Sequence, residues 1–289
     1  MSYRLSSDGI KATLITYLDK NPRLEELIQL ALENRYIDLP SVLSRYNSRL
    51  EYAKLISAKT VDEIDVILSE LTKNELEYIY SLLPTQYIDF FRSFLIFYDL
   101  DRIYSAFLRG SLESAKVVFM KYEDLEIFKR CLNDKTYRCL LEVQLDNIKN
   151  SLEMNIVKRY GVIEDYRNVF RCLALFAIAK YMKYVVNVRE LGLDTSLKPI
   201  EFSEKLIHIL GVGSWYKYEL ENAINSLENY FKSEPYRASV LEARYIYGKC
   251  RDLLTYSSQV IDILTLYLLN RYYEIYVLRY VLPQSWVMR

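Results

Sequence analysis

Residues 260–282, with the sequence VIDILTLYLLNRYYEIYVLRYVL, decide the fold expected of this chain. Their apolar side chains recur every three or four residues, which is the spacing of one face of an α-helix. The flanks of that face are mostly apolar too, as is typical of a helix buried in a protein core. We therefore predict a core helix of about six turns, closed by Pro283. Its face consists of Ile261, Leu264, Leu268, Tyr272, Ile275, Leu278 and Leu282.

Three charged residues in this stretch argue against a membrane span. Arg271, Glu274 and Arg279 would lie within the hydrocarbon, where together they would cost several kcal/mol. The N-terminus is polar and lacks the apolar region of a signal peptide. The sequence therefore predicts an intracellular protein whose thiols are mostly reduced.

The rest of the chain follows the same helical spacing. Long periodic runs occupy residues 85–109, 134–160, 163–191 and 235–256, while strand-like alternation is nearly absent. The 289 residues include only 7 Gly and 6 Pro, fewer than the many turns of a β-sandwich need. These features predict an all-α protein, in which only residues 116–120 have the composition of a strand.

Two segments have the spacing of a capping box at the start of a helix. Thr60 is followed three residues later by Glu63, and Thr72 by Glu75. In a capping box the hydroxyl and the carboxylate each accept a backbone N–H that would otherwise lack a partner. We therefore expect two short helices to begin at these threonines.

The charges of the chain balance overall but not locally. Lys plus Arg and Asp plus Glu number 38 each, so no net field favours nucleic acid or an anionic membrane. Residues 61–126 contain thirteen acids and six bases, whereas residues 155–189 contain seven bases and two acids. This asymmetry indicates either two contact surfaces for different partners or two solvated faces.

The residue types that most catalytic sites need are scarce. The cysteines show no C-x-x-C spacing, and the one histidine, His208, has no neighbour suited to a metal site. A Gly-rich phosphate loop is absent, because the segment from Gly211 to Gly213 lacks a third glycine and a preceding strand. We predict no cofactor and no metal. Asp99-x-Asp101 and Glu123-Asp124 leave a metal-carboxylate enzyme as an alternative.

Tyrosine is unusually frequent, with 28 residues. Such rings pack well on amphipathic helices, with the ring buried and the hydroxyl at the surface. Stacking on nucleic-acid bases is the alternative, although it requires a basic groove that the balanced charge does not predict.

A short pattern recurs on three of the most apolar helices: an acid, followed four residues later by an aliphatic residue. Arginines near two of the acids, Arg102 for Asp99 and Arg271 for Glu274, are spaced to form ion pairs on one helix face. These pairs either hold helices together or line a polar docking cavity. The residues of the three copies are Asp99, Arg102 and Ile103; Asp165, Asn168, Val169 and Arg171; and Glu274, Leu278 and Arg279.

With these motifs, the chain from about residue 62 onward resembles the C-type stalk subunits of the archaeal and bacterial V/A-type ATP synthases, a family related to the d-type subunits of the vacuolar ATPase. That family carries three helical units, each with acid-x-x-Asn-aliphatic and often an arginine soon after. The copy at Asp165 matches in full, while Arg102 and Val277 stand where the family has Asn. The segment from Leu132 to Leu140 and the closing Leu282-Pro283 also resemble the family.

The resemblance implies a fold of three related helical units arranged with pseudo-threefold symmetry as a funnel or socket. The units would span residues 61–133, 134–200 and 201–289, after amino-terminal helices in residues 1–60. It also implies a non-catalytic central-stalk subunit that couples the soluble stalk of a rotary ATPase to its membrane proteolipid ring. Its partners would be stalk subunits and that ring, without nucleic acid or a small-molecule substrate. It would lie peripherally on the cytoplasmic face of the membrane. The complex would carry out ATP synthesis or the ATP-driven transport of protons or other ions. The alternative is an α-helical repeat scaffold or nucleic-acid-binding adaptor.

Overall fold

The computed structural model describes residues 4–20, 23–45, 50–110, 115–119, 121–131, 136–153, 165–190, 198–257 and 259–287. Within these ranges the chain forms twelve α-helices and several short 3-10 helices, and it contains no strand. The all-α prediction is confirmed. Of the segment 116–120, which has the composition of a strand, residues 116–119 are neither helix nor strand, and Met120 lies outside the described residues.

The helices belong to two compact units, and the first unit combines both ends of the chain, residues 1–84 and 234–289. Its long carboxy-terminal helix, α12, packs against α1, α2, α3, α5 and α11. The other unit comprises residues 85–233. The helices of the first unit are α1 (Ser7–Lys20), α2 (Leu24–Leu32), α3 (Leu39–Arg45), α4 (Leu50–Ser57), α5 (Val61–Leu82), α11 (Ala238–Leu254) and α12 (Val260–Val287).

Helix α12 is the core helix of this unit, as its apolar pattern predicts. Almost every side chain from Val260 to Leu282 is buried. The predicted end at Pro283 is wrong, because the helix continues to Val287. A proline inside a helix removes one backbone hydrogen bond. Burial of Leu282 before it and Ser285 after it holds the last turn in place.

Helix α5 corrects the prediction of two short helices. Thr60 is its N-cap, as predicted: the Glu63 amide donates to the Thr60 hydroxyl at 3.2 Å, and the Lys59 amide donates to the Glu63 carboxylate at 2.7 Å. Thr72 begins no helix. It lies buried inside the same 22-residue helix, and so does Glu75. The second capping-box pattern is therefore a coincidence of spacing on a buried face.

The second unit is organised around α8, whose side chains from Cys172 to Met182 are all buried. Helix α8 packs against α7, α9 and α10, and α6 packs against α7. Phe176 of α8 lies 5.0 Å from Phe97 and 6.3 Å from Phe94 of α6, measured between ring centroids. The helices of this unit are α6 (Ile88–Leu108), α7 (Tyr137–Asn150), α8 (Arg167–Glu190), α9 (Pro199–Leu210) and α10 (Lys217–Ser233).

The prediction of mostly reduced thiols is wrong. Cys131 and Cys139 form a disulfide, with Cα atoms 5.8 Å apart. It ties the 3-10 helix of residues 122–131 to the first turn of α7. The positions differ by eight residues, and only their approach in space reveals the bond.

The described helices also bear on the membrane and on the domain prediction. None of them is both long and apolar enough to cross a bilayer. The division into residues 1–60, 61–133, 134–200 and 201–289 differs from the two compact units, and the three repeated units stay a prediction.

Candidate functional site

The three acids of the repeated pattern lie in three different environments. Glu274 is buried in the core of the first unit, and Asp99 is buried on α6 in the second. Asp165 is exposed, two residues before the start of α8. The aliphatic partners Ile103, Val169 and Leu278 are all buried. Each copy therefore contributes an apolar residue to a core, while its acid has a role of its own.

Glu274 belongs to a buried ion cluster, which we define as Tyr52, Glu75, Tyr267, Arg271 and Glu274. The Arg271 guanidinium forms the predicted ion pair with Glu274 and lies 3.3 Å from a Glu75 carboxylate oxygen. The Tyr52 hydroxyl donates to Glu274, and the Tyr267 hydroxyl donates to Glu75, each at 2.5 Å. Arg271 and Glu274 are each only 1% exposed. The cluster therefore joins α4, α5 and α12 through groups that water does not reach.

Burial and charge act in opposite directions on the ionisable groups of this cluster. Burial by itself would lower the pKa of Arg271, but Glu274 and Glu75 outweigh it and raise that pKa well above its ordinary value. Burial raises the pKa of Glu274, although Arg271 and the Tyr52 hydroxyl oppose the rise. One arginine thus serves two carboxylates, and Glu274 binds its proton more readily than an ordinary glutamate.

The raised pKa of Glu274 predicts how stability depends on pH. Because the folded state holds the proton more tightly than the unfolded state, Glu274 contributes stability at low pH. That contribution is lost as pH rises from 4.5, the ordinary glutamate value, through the pKa of the folded state. Urea unfolding at a series of pH values should therefore show the free energy of unfolding of wild type falling relative to Glu274→Gln across this window. If the free energy of unfolding of wild type instead rises relative to that of Glu274→Gln as pH increases, Arg271 lowers the pKa of Glu274.

Further polar contacts tie α12 to its neighbours. The Asn270 amide donates to the Tyr247 hydroxyl at 3.0 Å, and the Tyr273 hydroxyl donates to Glu242 at 3.2 Å. Both acceptors, Tyr247 and Glu242, lie on α11. Arg279 of the third motif copy pairs with Asp65 of α5 at 2.6 Å, at the half-exposed edge of the unit. These contacts fix the rotation and the height of α12 within its bundle.

Asp99, in the first copy, holds a loop against α6. Its carboxylate accepts hydrogen bonds from the backbone amides of Val118 at 3.0 Å and Phe119 at 2.7 Å. Arg102 forms the predicted ion pair with it at 2.9 Å. The Arg102 guanidinium also lies 6.0 Å from the centroid of the Phe119 ring. Asp99 thus supplies acceptors for amides that no helix or sheet satisfies.

The second copy lies at the start of α8. Asp165 accepts hydrogen bonds from the side chain and the backbone amide of Arg167, and these lower the pKa of Asp165 to about 2. Asn168 accepts a hydrogen bond from Arg171 at 3.3 Å. The Arg171 guanidinium in turn lies 4.3 Å from the centroid of the Trp215 ring. This copy therefore connects the start of α8 with an aromatic side chain that precedes α10.

Three of the four acids proposed for a metal-carboxylate enzyme, Asp99, Asp101 and Asp124, have protein partners, whereas Glu123 is exposed. Asp101 accepts a hydrogen bond from Tyr137 at 2.7 Å and lies 3.4 Å from the Lys180 ammonium. Asp124 pairs with Arg92 at 2.8 Å. Within the part of the chain that the structure describes, no three His, Cys, Asp or Glu residues group as metal ligands. His208 is exposed on α9.

Sequence reasoning missed three members of the buried ion cluster, namely Tyr52, Glu75 and Tyr267. Glu75 carried a detectable signal, because it falls on the stripe of α5 that also contains Leu68, Leu71 and Ile79. A carboxylate on a buried stripe requires a cationic or hydrogen-bonding partner. The two tyrosines carried no comparable signal in a chain with 28 of them.

Searches with the whole chain against protein-family models, curated proteins and solved structures find no match.

Proposed function

We propose that this protein is a non-catalytic central-stalk subunit of a rotary V/A-type ATP synthase or ATPase. It would couple the soluble central stalk to the membrane proteolipid ring, at the cytoplasmic face of the membrane. The finer fold that belongs to this proposal is three helical units with pseudo-threefold symmetry, forming a funnel or socket. Stalk subunits and the ring would be its partners.

The observation that carries the proposal is the setting of the repeated pattern. In two of its three copies the acid is buried on a long helix and neutralised by an arginine three residues away: Asp99 with Arg102, and Glu274 with Arg271. A buried carboxylate is costly unless it is paired and hydrogen-bonded. The arginine follows the acid in the first copy and precedes it in the third, so what recurs is a buried acid that is paired within its own helix. This recurrence favours a repeated architecture over chance spacing of acids and aliphatic residues.

Transmission of torque gives these contacts a physical purpose. A joint that deforms stores the applied work as strain instead of passing it on. In the first unit the buried ion cluster joins three helices at one point, and the contacts of Asn270 and Tyr273 join α12 to α11. Sliding α12 along its neighbours would separate these charges and donors from their partners. Such a core resists small displacements more than apolar packing alone does.

A coupling protein also requires surfaces for two different partners. The exposed face of α5 carries Asp62, Glu63, Glu70 and Glu77, and belongs to the acidic part of the sequence. The start of α8 carries Arg167 and Arg171, and belongs to the basic part. Faces of opposite charge on different units suit a stalk and a ring of different composition.

Identification of the native partners tests this function. An affinity-tagged copy is expressed in the organism from which the chain comes, and membranes are extracted with mild detergent. We expect this copy to co-purify with nucleotide-binding ring subunits, stalk subunits and a small proteolipid. Mass spectrometry of the eluate identifies them. Recovery of the chain alone, or with RNA in place of these subunits, would contradict the proposal.

A further inference from the structure

Trp215 is a large aromatic side chain that is exposed and yet held in one position. It lies in the short 3-10 helix of residues 214–216, just before α10, and is 59% exposed. On one side the Arg171 guanidinium approaches its ring centroid to 4.3 Å. The Tyr216 ring meets it edge-on at 5.6 Å, and the Tyr216 hydroxyl donates to the Arg171 carbonyl at 3.2 Å. The ring is therefore fixed by residues from α8 and from its own turn.

The residue at position 213 contributes to this placement. A Cβ atom built on Gly213 would lie 2.6 Å from the indole nitrogen of Trp215, closer than real Cβ contacts occur. Glycine therefore lets the indole lie against the backbone of its own turn. An aromatic side chain whose position is restricted by contacts within its own chain loses less conformational entropy when a partner covers it.

The charge beside Trp215 indicates what kind of partner would bind. Arg171 donates one hydrogen bond, to the neutral amide oxygen of Asn168. The Asp165 carboxylate attracts Arg171 electrostatically, but its hydrogen bonds go to Arg167. The remaining N–H groups of Arg171 are available to an acceptor. The helical run that begins at Ser214 directs its positive end to the same place. Both features favour a carboxylate on the partner.

We propose that Trp215, Arg171 and Tyr218, which is 69% exposed in the first turn of α10, form a docking surface for an acidic segment of a protein partner. The indole supplies the contact area at the centre of the interface, and Arg171 binds a carboxylate of that segment. Trp, Tyr and Arg are the residue types that most often dominate the energy of protein interfaces. This inference rests on the proposed function, in which the segment belongs to another protein of the central stalk.

A second exposed aromatic residue provides a matched control. Tyr236 is 64% exposed, lies in the 3-10 helix before α11, and has the Arg237 guanidinium 5.5 Å from its ring centroid. Arg237, however, already pairs with Glu234 at 3.4 Å and donates to Asn34. Because its arginine is neutralised within the chain, this surface has no comparable demand for a partner carboxylate.

Quantitative co-purification tests the docking surface. We expect Trp215→Ala to lower the recovery of stalk subunits from detergent extracts at least about tenfold, because loss of a central aromatic residue has effects of this size. Tyr236→Ala should recover them as wild type does. Equal recovery with Trp215→Ala overturns the inference and leaves the proposed function standing. If wild type recovers no such subunits, the proposed function fails and the inference with it. Loss of bound RNA from the Trp215→Ala eluate would assign the surface to nucleic acid and also overturn it.

A second measurement needs no variant at position 215. Hydroxyl-radical labelling of the isolated chain and of the purified assembly, followed by mass spectrometry, reports the exposure of individual side chains. We expect labelling of Trp215 to fall several-fold in the assembly, while labelling of Tyr236 remains unchanged. Equal labelling of Trp215 in both samples would show that no partner covers it.

Discussion

Replacing Arg271 with methionine should destabilise the first unit by about 3–5 kcal/mol, the usual cost of removing one partner from a buried ion pair. The substitution leaves Glu75 and Glu274 buried without their cation, and their tyrosine partners do not replace its charge. Urea denaturation followed by circular dichroism measures the loss. Arg279→Met is the matched control, because Arg279 lies on the same helix but pairs with Asp65 at the edge, where such a pair contributes about 0–1 kcal/mol.

A companion variant separates the charge effect from the loss of packing. Arg271→Met combined with Glu75→Gln and Glu274→Gln removes the unpaired carboxylates while keeping acceptors for Tyr52 and Tyr267. We expect it to regain a large part of the lost stability, because the penalty arises from uncompensated charge. If Arg271→Met costs no more than Arg279→Met, the cluster does not hold the helices together, and the stiffness argued for the first unit loses its basis.

Asp99→Ala should produce the second large effect, about 2–4 kcal/mol. It removes the shared acceptor of the Val118 and Phe119 amides and of Arg102, and an unsatisfied buried donor costs about 1–3 kcal/mol. Arg102→Leu leaves Asp99 its two amide donors but removes its cation, and should cost about 1.5–3 kcal/mol, the usual contribution of a hydrogen bond to a charged group.

Hydrogen exchange locates this effect within the chain. In wild type the Val118 and Phe119 amides should exchange slowly, because the Asp99 carboxylate accepts from both. In Asp99→Ala they should exchange at rates close to those of an unfolded peptide, while amides in the middle of α8 keep their protection. Unchanged protection at Val118 and Phe119 would show that another group satisfies these amides.

The sequence predicted those contacts that follow from the geometry of one helix. The pairs Asp99 with Arg102 and Arg271 with Glu274 are each three residues apart, so helical geometry alone places their side chains together. The core role of α12 followed from its apolar residues in the same way. The functional assignment drew on the resemblance of the repeats and stays a proposal.

Contacts between helices could not be predicted, because the sequence of one helix does not identify the helix against which it packs. The carboxylate of Glu274 is shared with Tyr52, which lies 222 positions away in the chain. The same limit explains why Thr72 and Glu75 were interpreted as a cap. Their spacing fits both the start of a helix and one buried face within a helix, and only the position of the neighbouring helices distinguishes the two. The Cys131–Cys139 disulfide similarly depends on how the turn before α7 folds back.

The first unit draws its helices from both halves of the gene product, which has a consequence for biosynthesis. Helices α1 to α5 leave the ribosome before any of residues 85–233, whereas α12, against which α1, α2, α3 and α5 pack, is translated after both groups. The second unit is contiguous and is free to fold while synthesis continues. Until α12 arrives, the apolar faces of the early helices and the carboxylate of Glu75 have no core to enter. During that interval the nascent chain should depend on chaperones that shield such surfaces.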